Sequence, residues 1–120
     1  MLVLLAFLFP IFIVGADVPF TIPKNTSFPQ STQITAKEVR FEVDESNKES
    51  LLSVNEDTYI SIDCEHLILD GLITFKNATE GDNINGIKIE IKYKTLSGTG
   101  KIVNGIKGFK GNVTFIFTQK

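Results

Sequence analysis

One cysteine, one histidine and no tryptophan occur in the 120 residues of this chain. A lone cysteine, Cys64, has no intramolecular disulfide partner, which excludes the stapled scaffolds of small toxins and growth factors. A structural zinc site needs four ligands, and one Cys with one His does not supply them. There is no tryptophan to serve as a platform for a sugar ring. No glycine-rich phosphate loop and no Gly-x-Ser-x-Gly elbow is present. A formal net charge of −2 gives no footprint for nucleic acid. No catalytic residue, metal ligand or cofactor is expected from what remains.

Positive charge is missing where it is most informative, at the N-terminus. Leu2 to Val14 is an apolar run interrupted only by Pro10. It is too short to cross a bilayer, which takes about 20 apolar residues. Val14-Gly15-Ala16 then supplies the small residues of a signal-peptidase site. The expected layout is a signal peptide over 1–16, a Pro-containing extended arm or edge strand over 17–33, and a β-rich domain over 34–120. The mature chain is therefore expected to be secreted, with no membrane span. Asn25-Thr26-Ser27, Asn77-Ala78-Thr79 and Asn112-Val113-Thr114 fit the N-glycosylation sequon, which agrees with that route.

After Asp17 the pattern is that of strands. Apolar and polar residues alternate in "VRFEV" (39–43), "YISID" (59–63), "IKIEIKYK" (87–94) and "VTFIFT" (113–118). No window carries an apolar stripe of helical period. Asp70-Gly71, Asn85-Gly86 and Asn104-Gly105 separate apolar runs as two-residue turns do. Read as hairpins, they predict an antiparallel β-sandwich or jelly-roll-like domain.

A second architecture competes. The runs "ITAKEVRF" (34–41), "IDCEHLIL" (62–69) and "IKYKTLSG" (91–98) align with one another at a nearly constant offset. Ile34/Ile62/Ile91, Val39/Leu67/Leu96 and Phe41/Leu69/Gly98 form columns, with Gly71 over Gly100. Outer positions stack opposite charges, Asp63 with Lys92 and Lys37/Glu65/Lys94. A period of about 28–29 residues predicts a short parallel β-solenoid. The phrase "LILDGLITFKNA" (67–78) also resembles a rung of right-handed parallel β-helix proteins. The sandwich is the first expectation and the solenoid the alternative.

Asp63-Cys64-Glu65-His66 looks like a site because four reactive side chains stand in a row. On a strand, neighbours point to opposite faces, so a nucleophilic Cys/His pair does not form that way. Cys64 is expected as a buried free thiol and His66 as a polar residue at a bend. "EGDNING" (80–86) offers oxygen ligands but fails the EF-hand pattern.

Charge is distributed unevenly. From Glu38 to Asp82 twelve acids face three bases, while from Lys88 onward seven lysines face Glu90 alone. Alternation puts Lys88, Lys92 and Lys94 on one exposed face, a candidate patch for an anionic partner such as a sulfated glycan. Internal pairing of the two halves explains the same residues.

These features predict a secreted, N-glycosylated, non-catalytic β-domain that binds an extracellular protein or glycan. The alternatives are a small carbohydrate-active enzyme or carbohydrate-binding solenoid, and a structural or matrix protein. Fourteen acids leave hydrolysis by a carboxylate pair open, but no pair is marked.

Overall fold

The computed structural model describes residues 11–13, 19–78, 86–107 and 111–120, with backbone alone for 11–13. The described residues form thirteen strands and no helix. The first, β1 (Ile11–Ile13), falls within the segment expected to be a signal peptide. The rest group into four circuits. The first circuit holds β2 (Pro19–Ile22), β3 (Ser27–Phe28) and β4 (Thr32–Thr35). Next come β5 (Glu38–Phe41), β6 (Glu49–Val54) and β7 (Thr58–Asp63). The third holds β8 (His66–Leu69), β9 (Leu72–Asn77) and β10 (Ile87–Tyr93), and the fourth β11 (Thr95–Ser97), β12 (Lys101–Lys107) and β13 (Val113–Gln119).

Each circuit gives one strand to each of three sheets. Sheet A runs β1-β4-β7-β10-β13, sheet B β2-β5-β8-β11, and sheet C β3-β6-β9-β12. Every strand pair is parallel. The antiparallel sandwich is thereby corrected, and the all-β class stands. Segment 17–33 contributes β2, β3 and the first residues of β4 to the sheets.

The turn dipeptides misled for a physical reason. Asp70-Gly71 joins β8 in sheet B to β9 in sheet C, so it makes a corner between sheets. A Cβ on Gly71 would stand 2.1 Å from the carbonyl oxygen of Lys48, and one on Gly100 2.0 Å from that of Gly71. Glycine is needed where one coil's backbone lies against the next, not for a hairpin. Asn104-Gly105 lies inside β12, where the register slips between Ile102 and Ile106 and Gly105 has φ 129°. Of the third dipeptide, Asn85 lies outside the described residues.

Alternation sends one side of every sheet into a common interior. Ile34, Ile62 and Ile91 are ladder partners in sheet A, and Val39, Leu67 and Leu96 in sheet B. Ser50, Ile73 and Ile102 do the same in sheet C. In the sheet A column isoleucine stacks on isoleucine from coil to coil, so the same β-branched side chain packs against its own kind across the ladder.

Candidate functional site

The exposed lysines single out the outer face of sheet A. In β10, Ile87, Ile89 and Ile91 are buried, so Lys88, Glu90 and Lys92 point outward. Register then builds three rows across the coils: Tyr59–Lys88–Thr114, Gln33–Ser61–Glu90–Ile116 and Thr35–Asp63–Lys92–Thr118.

The first two rows are tied together. The Tyr59 hydroxyl donates to Glu90 Oε1 at 2.5 Å, and Lys88 Nζ lies 4.8 Å from the centroid of the Tyr59 ring. Tyr59 N–H donates to Ser31 Oγ at 3.0 Å. Accepting the phenol's hydrogen bond, Glu90 pushes the Tyr59 pKa up, and burial adds to it. At neutral pH the hydroxyl therefore remains a donor and fixes the ring on the face. Beside it an open pocket of about 230 Å3 is lined by Asp57, Tyr59, Lys88, Asn112 and Thr114 among others.

The three expected lysines are all exposed, and each has different neighbours. Lys88 sits on the Tyr59 ring, Lys92 is the ladder neighbour of Asp63, and Lys94 N–H donates to the Glu65 carbonyl at the next corner. Asp63 is itself engaged by Lys120 Nζ at 2.5 Å. Across its three rows the face mixes aromatic, hydroxyl, cation and carboxylate side chains.

The other candidates separate. Cys64 is 1 % exposed, a free thiol with its Sγ 3.7 Å from the Lys92 carbonyl. Burial pushes the thiol up to about 11 against the pull of Lys120. A thiol that stays protonated is no nucleophile at neutral pH. A bend at Glu65 lets both Cys64 and Leu67 face inward, and His66 alternates outward with Nδ1 2.5 Å from Thr95 Oγ1. Cysteine and imidazole therefore occupy different sides of the wall.

Among the described residues no group of three or more His, Cys, Asp or Glu side chains is placed to hold a metal. Of "EGDNING" only Gly86 is described. Other carboxylates have partners of their own: Asp70 with Arg40 Nη1 at 2.5 Å, Asp44 with Lys24 at 3.8 Å. The Ser46 hydroxyl and N–H hold the Asp44 carboxyl below its ordinary value.

The three sequons differ in setting. Asn25 is exposed with φ 57°, and its Oδ1 accepts Leu51 N–H at 3.0 Å. Asn112 is exposed and borders the pocket. Asn77 continues the inward column of Phe28 and Val54 at the end of β9 and is half-buried; Thr79 lies outside the described residues.

Sequence reasoning missed the Tyr59–Lys88–Glu90 group. The signal was available, because the same offset that stacks Ile62 on Ile91 also sets Lys88 beside Tyr59. Comparison of the chain with protein families, curated proteins and solved structures gives no match.

Proposed function

We propose that the chain is an exported, N-glycosylated, non-catalytic β-solenoid that binds an extended anionic glycan along the outer face of sheet A. The observation that carries this reading is the row Tyr59–Lys88–Thr114 with its flanking pocket. A ring face, a cation and a hydroxyl set side by side on successive coils suit a polymer of hydroxylated, anionic rings lying across the strands. The ladder spacing of about 4.8 Å brings two coils within the reach of one sugar residue. Asp63 and Glu90, the face's own carboxylates, are held by Lys120 and the Tyr59 hydroxyl, so a hydrolytic reading is not adopted.

Export is supported by the sequence of residues 1–16 and by the completeness of the circuits from β2 to β13 without them. Among the described residues no helix is long and apolar enough to cross a membrane. Cleavage before Asp17 would remove β1 and leave the edge of β4 open.

Binding of the full chain to a sulfated glycan, and to the same glycan desulfated, tests the proposal. Exposed ion contacts contribute about 0.2–1 kcal/mol each, so Lys88→Ala with Lys92→Ala should weaken binding about two- to thirtyfold. Equal retention of both glycans, or no effect of the double variant, would contradict it.

A further inference from the structure

Of the three sequon asparagines, Asn25 is the one whose side chain the fold pins to a neighbouring coil. It stands two residues before Ser27, the ladder partner of Ser53, and therefore opposite Leu51 on sheet C. Its N–H donates to Ser50 Oγ at 3.0 Å, and its Oδ1 accepts Leu51 N–H at 3.0 Å. The side-chain oxygen thus extends the ladder between β3 and β6 by one bond. That leaves Nδ2, on an exposed residue, as the atom free to take a covalent partner.

A cleft of about 170 Å3 begins at this side chain. Leu51 and Thr74, ladder partners on β6 and β9, form its floor, and both turn out of the sheet. The row has no regular continuation on β12, where the register slips between Ile102 and Ile106, and Lys107 lines the cleft from beyond the slip. Asn47 and Glu49 form the opposite wall. The chemistry of these groups is mixed. Leu51 is an apolar side chain 37 % exposed. Asn47 Oδ1 accepts Glu49 N–H, which turns the Asn47 amide nitrogen away from the backbone as a donor. Glu49 adds a carboxylate, Thr74 a hydroxyl and Lys107 a cation. Asp44, also in the wall, is already engaged by Ser46 and Lys24.

We infer that Asn25 carries an N-linked glycan whose first N-acetylglucosamine seats in this cleft and ties the first circuit to the second and third. The inference rests on the export and N-glycosylation proposed above and goes beyond them by giving the sugar a seat. The transfer joins Asn25 Nδ2 to the anomeric carbon of a lipid-diphosphate-linked oligosaccharide. The bond from that carbon to phosphate breaks, the lipid diphosphate leaves, and Nδ2 loses one proton. The acetyl methyl then covers Leu51, Glu49 accepts from a ring hydroxyl, and Asn47 and Thr74 donate to the sugar's oxygens. The space suits one ring, since pockets for larger ligands start at about 300 Å3. Because Asn25 is already held by two hydrogen bonds, seating the sugar orders little that was free.

The full chain secreted from a eukaryotic host, trimmed by an endoglycosidase that leaves one N-acetylglucosamine, tests this, with occupancy read by mass spectrometry. Ser27→Ala removes the sequon at an exposed position and keeps Asn25. In urea the trimmed parent should unfold at a midpoint about 0.3–1 M above Ser27→Ala, the size of one or two net hydrogen bonds. Secreted while synthesis of the lipid-linked sugar is inhibited, the two should unfold together. Leu51→Ser with Glu49→Gln, both at exposed positions, should leave Asn25 occupied and erase the increment. Unaltered circular dichroism checks that each variant folds. An occupied Asn25 without the increment overturns the inference alone and leaves N-glycosylation standing. So does an increment that survives loss of Leu51 and Glu49, or one that persists in the sugar-free pair. A bare Asn25, or a chain that is not exported, overturns it together with the reading it rests on.

Discussion

Replacing Gly71 by alanine puts the contact between successive coils to the test. The new Cβ would stand 2.1 Å from the Lys48 carbonyl oxygen, where ordinary contact begins at 3.4 Å, so that oxygen must retreat. The same oxygen accepts Leu72 N–H at 2.8 Å, and the retreat breaks that bond. Overpacking of this kind costs about 1–3 kcal/mol and the lost hydrogen bond about 0.5–1.5 kcal/mol. Restricting the unfolded chain returns about 0.4–1 kcal/mol, which leaves a net loss of about 0.5–4 kcal/mol. Domains of this size have about 5–15 kcal/mol in all. In a urea titration followed by far-ultraviolet circular dichroism, the midpoint should fall by about 0.3–2 M. Asparagine decides between the architectures. Gly71 does not have positive φ, so Gly71→Asn should be at least as damaging as Gly71→Ala. In a type I′ hairpin that glycine has positive φ, which asparagine tolerates. A Gly71→Asn protein as stable as the parent would refute the reasoning.

Ile62→Ala, in the middle of the buried Ile34–Ile62–Ile91 column, should cost about 2–5 kcal/mol, whereas Leu96→Ser, at an exposed position, should stay within about 0.5 kcal/mol by the same titration. Cys64→Ala should cost about 1 kcal/mol and leave glycan binding unchanged. Because burial raises the Cys64 thiol to about 11, labelling by thiol reagents should be slow at neutral pH and fast in denaturant. Rapid labelling of the folded chain would show an exposed, activated thiolate. Mass spectrometry of secreted protein should find glycan on Asn25 or Asn112 and none on the inward-facing Asn77. A sugar on Asn112 would overlie the pocket beside Tyr59, so Asn112→Gln should strengthen glycan binding if that sequon is used.

Much of the register was legible in the residues. The columns read from the self-alignment, Ile34/Ile62/Ile91 and Val39/Leu67/Leu96, are the ladder partners, and Gly71 does lie against Gly100. The choice of architecture was not legible, because Asp-Gly between apolar runs serves a hairpin and a coil corner equally well. The first circuit was hidden for another reason. The step from Pro19 to its partner Glu38 is much shorter than the steps from Glu38 to His66 and from His66 to Thr95, so a repeat of constant period does not reveal it. Alternation correctly turned Lys88 and Lys92 outward, but exposure says nothing about what a neighbouring coil sets beside them. Tyr59 and Asp63 do that, and they change a cationic patch into a mixed face.

Nuclear Overhauser contacts in the labelled protein measure the parallel winding most directly. Coils wound in parallel predict backbone contacts between Ser61 and Glu90, between Ile62 and Ile91 and between Val39 and Leu67, each pair separated in sequence by one full coil. They predict none between Leu67 and Thr74 across Asp70-Gly71. Strong contacts between Leu67 and Thr74, with none between Ile62 and Ile91, would establish the hairpin and contradict the solenoid.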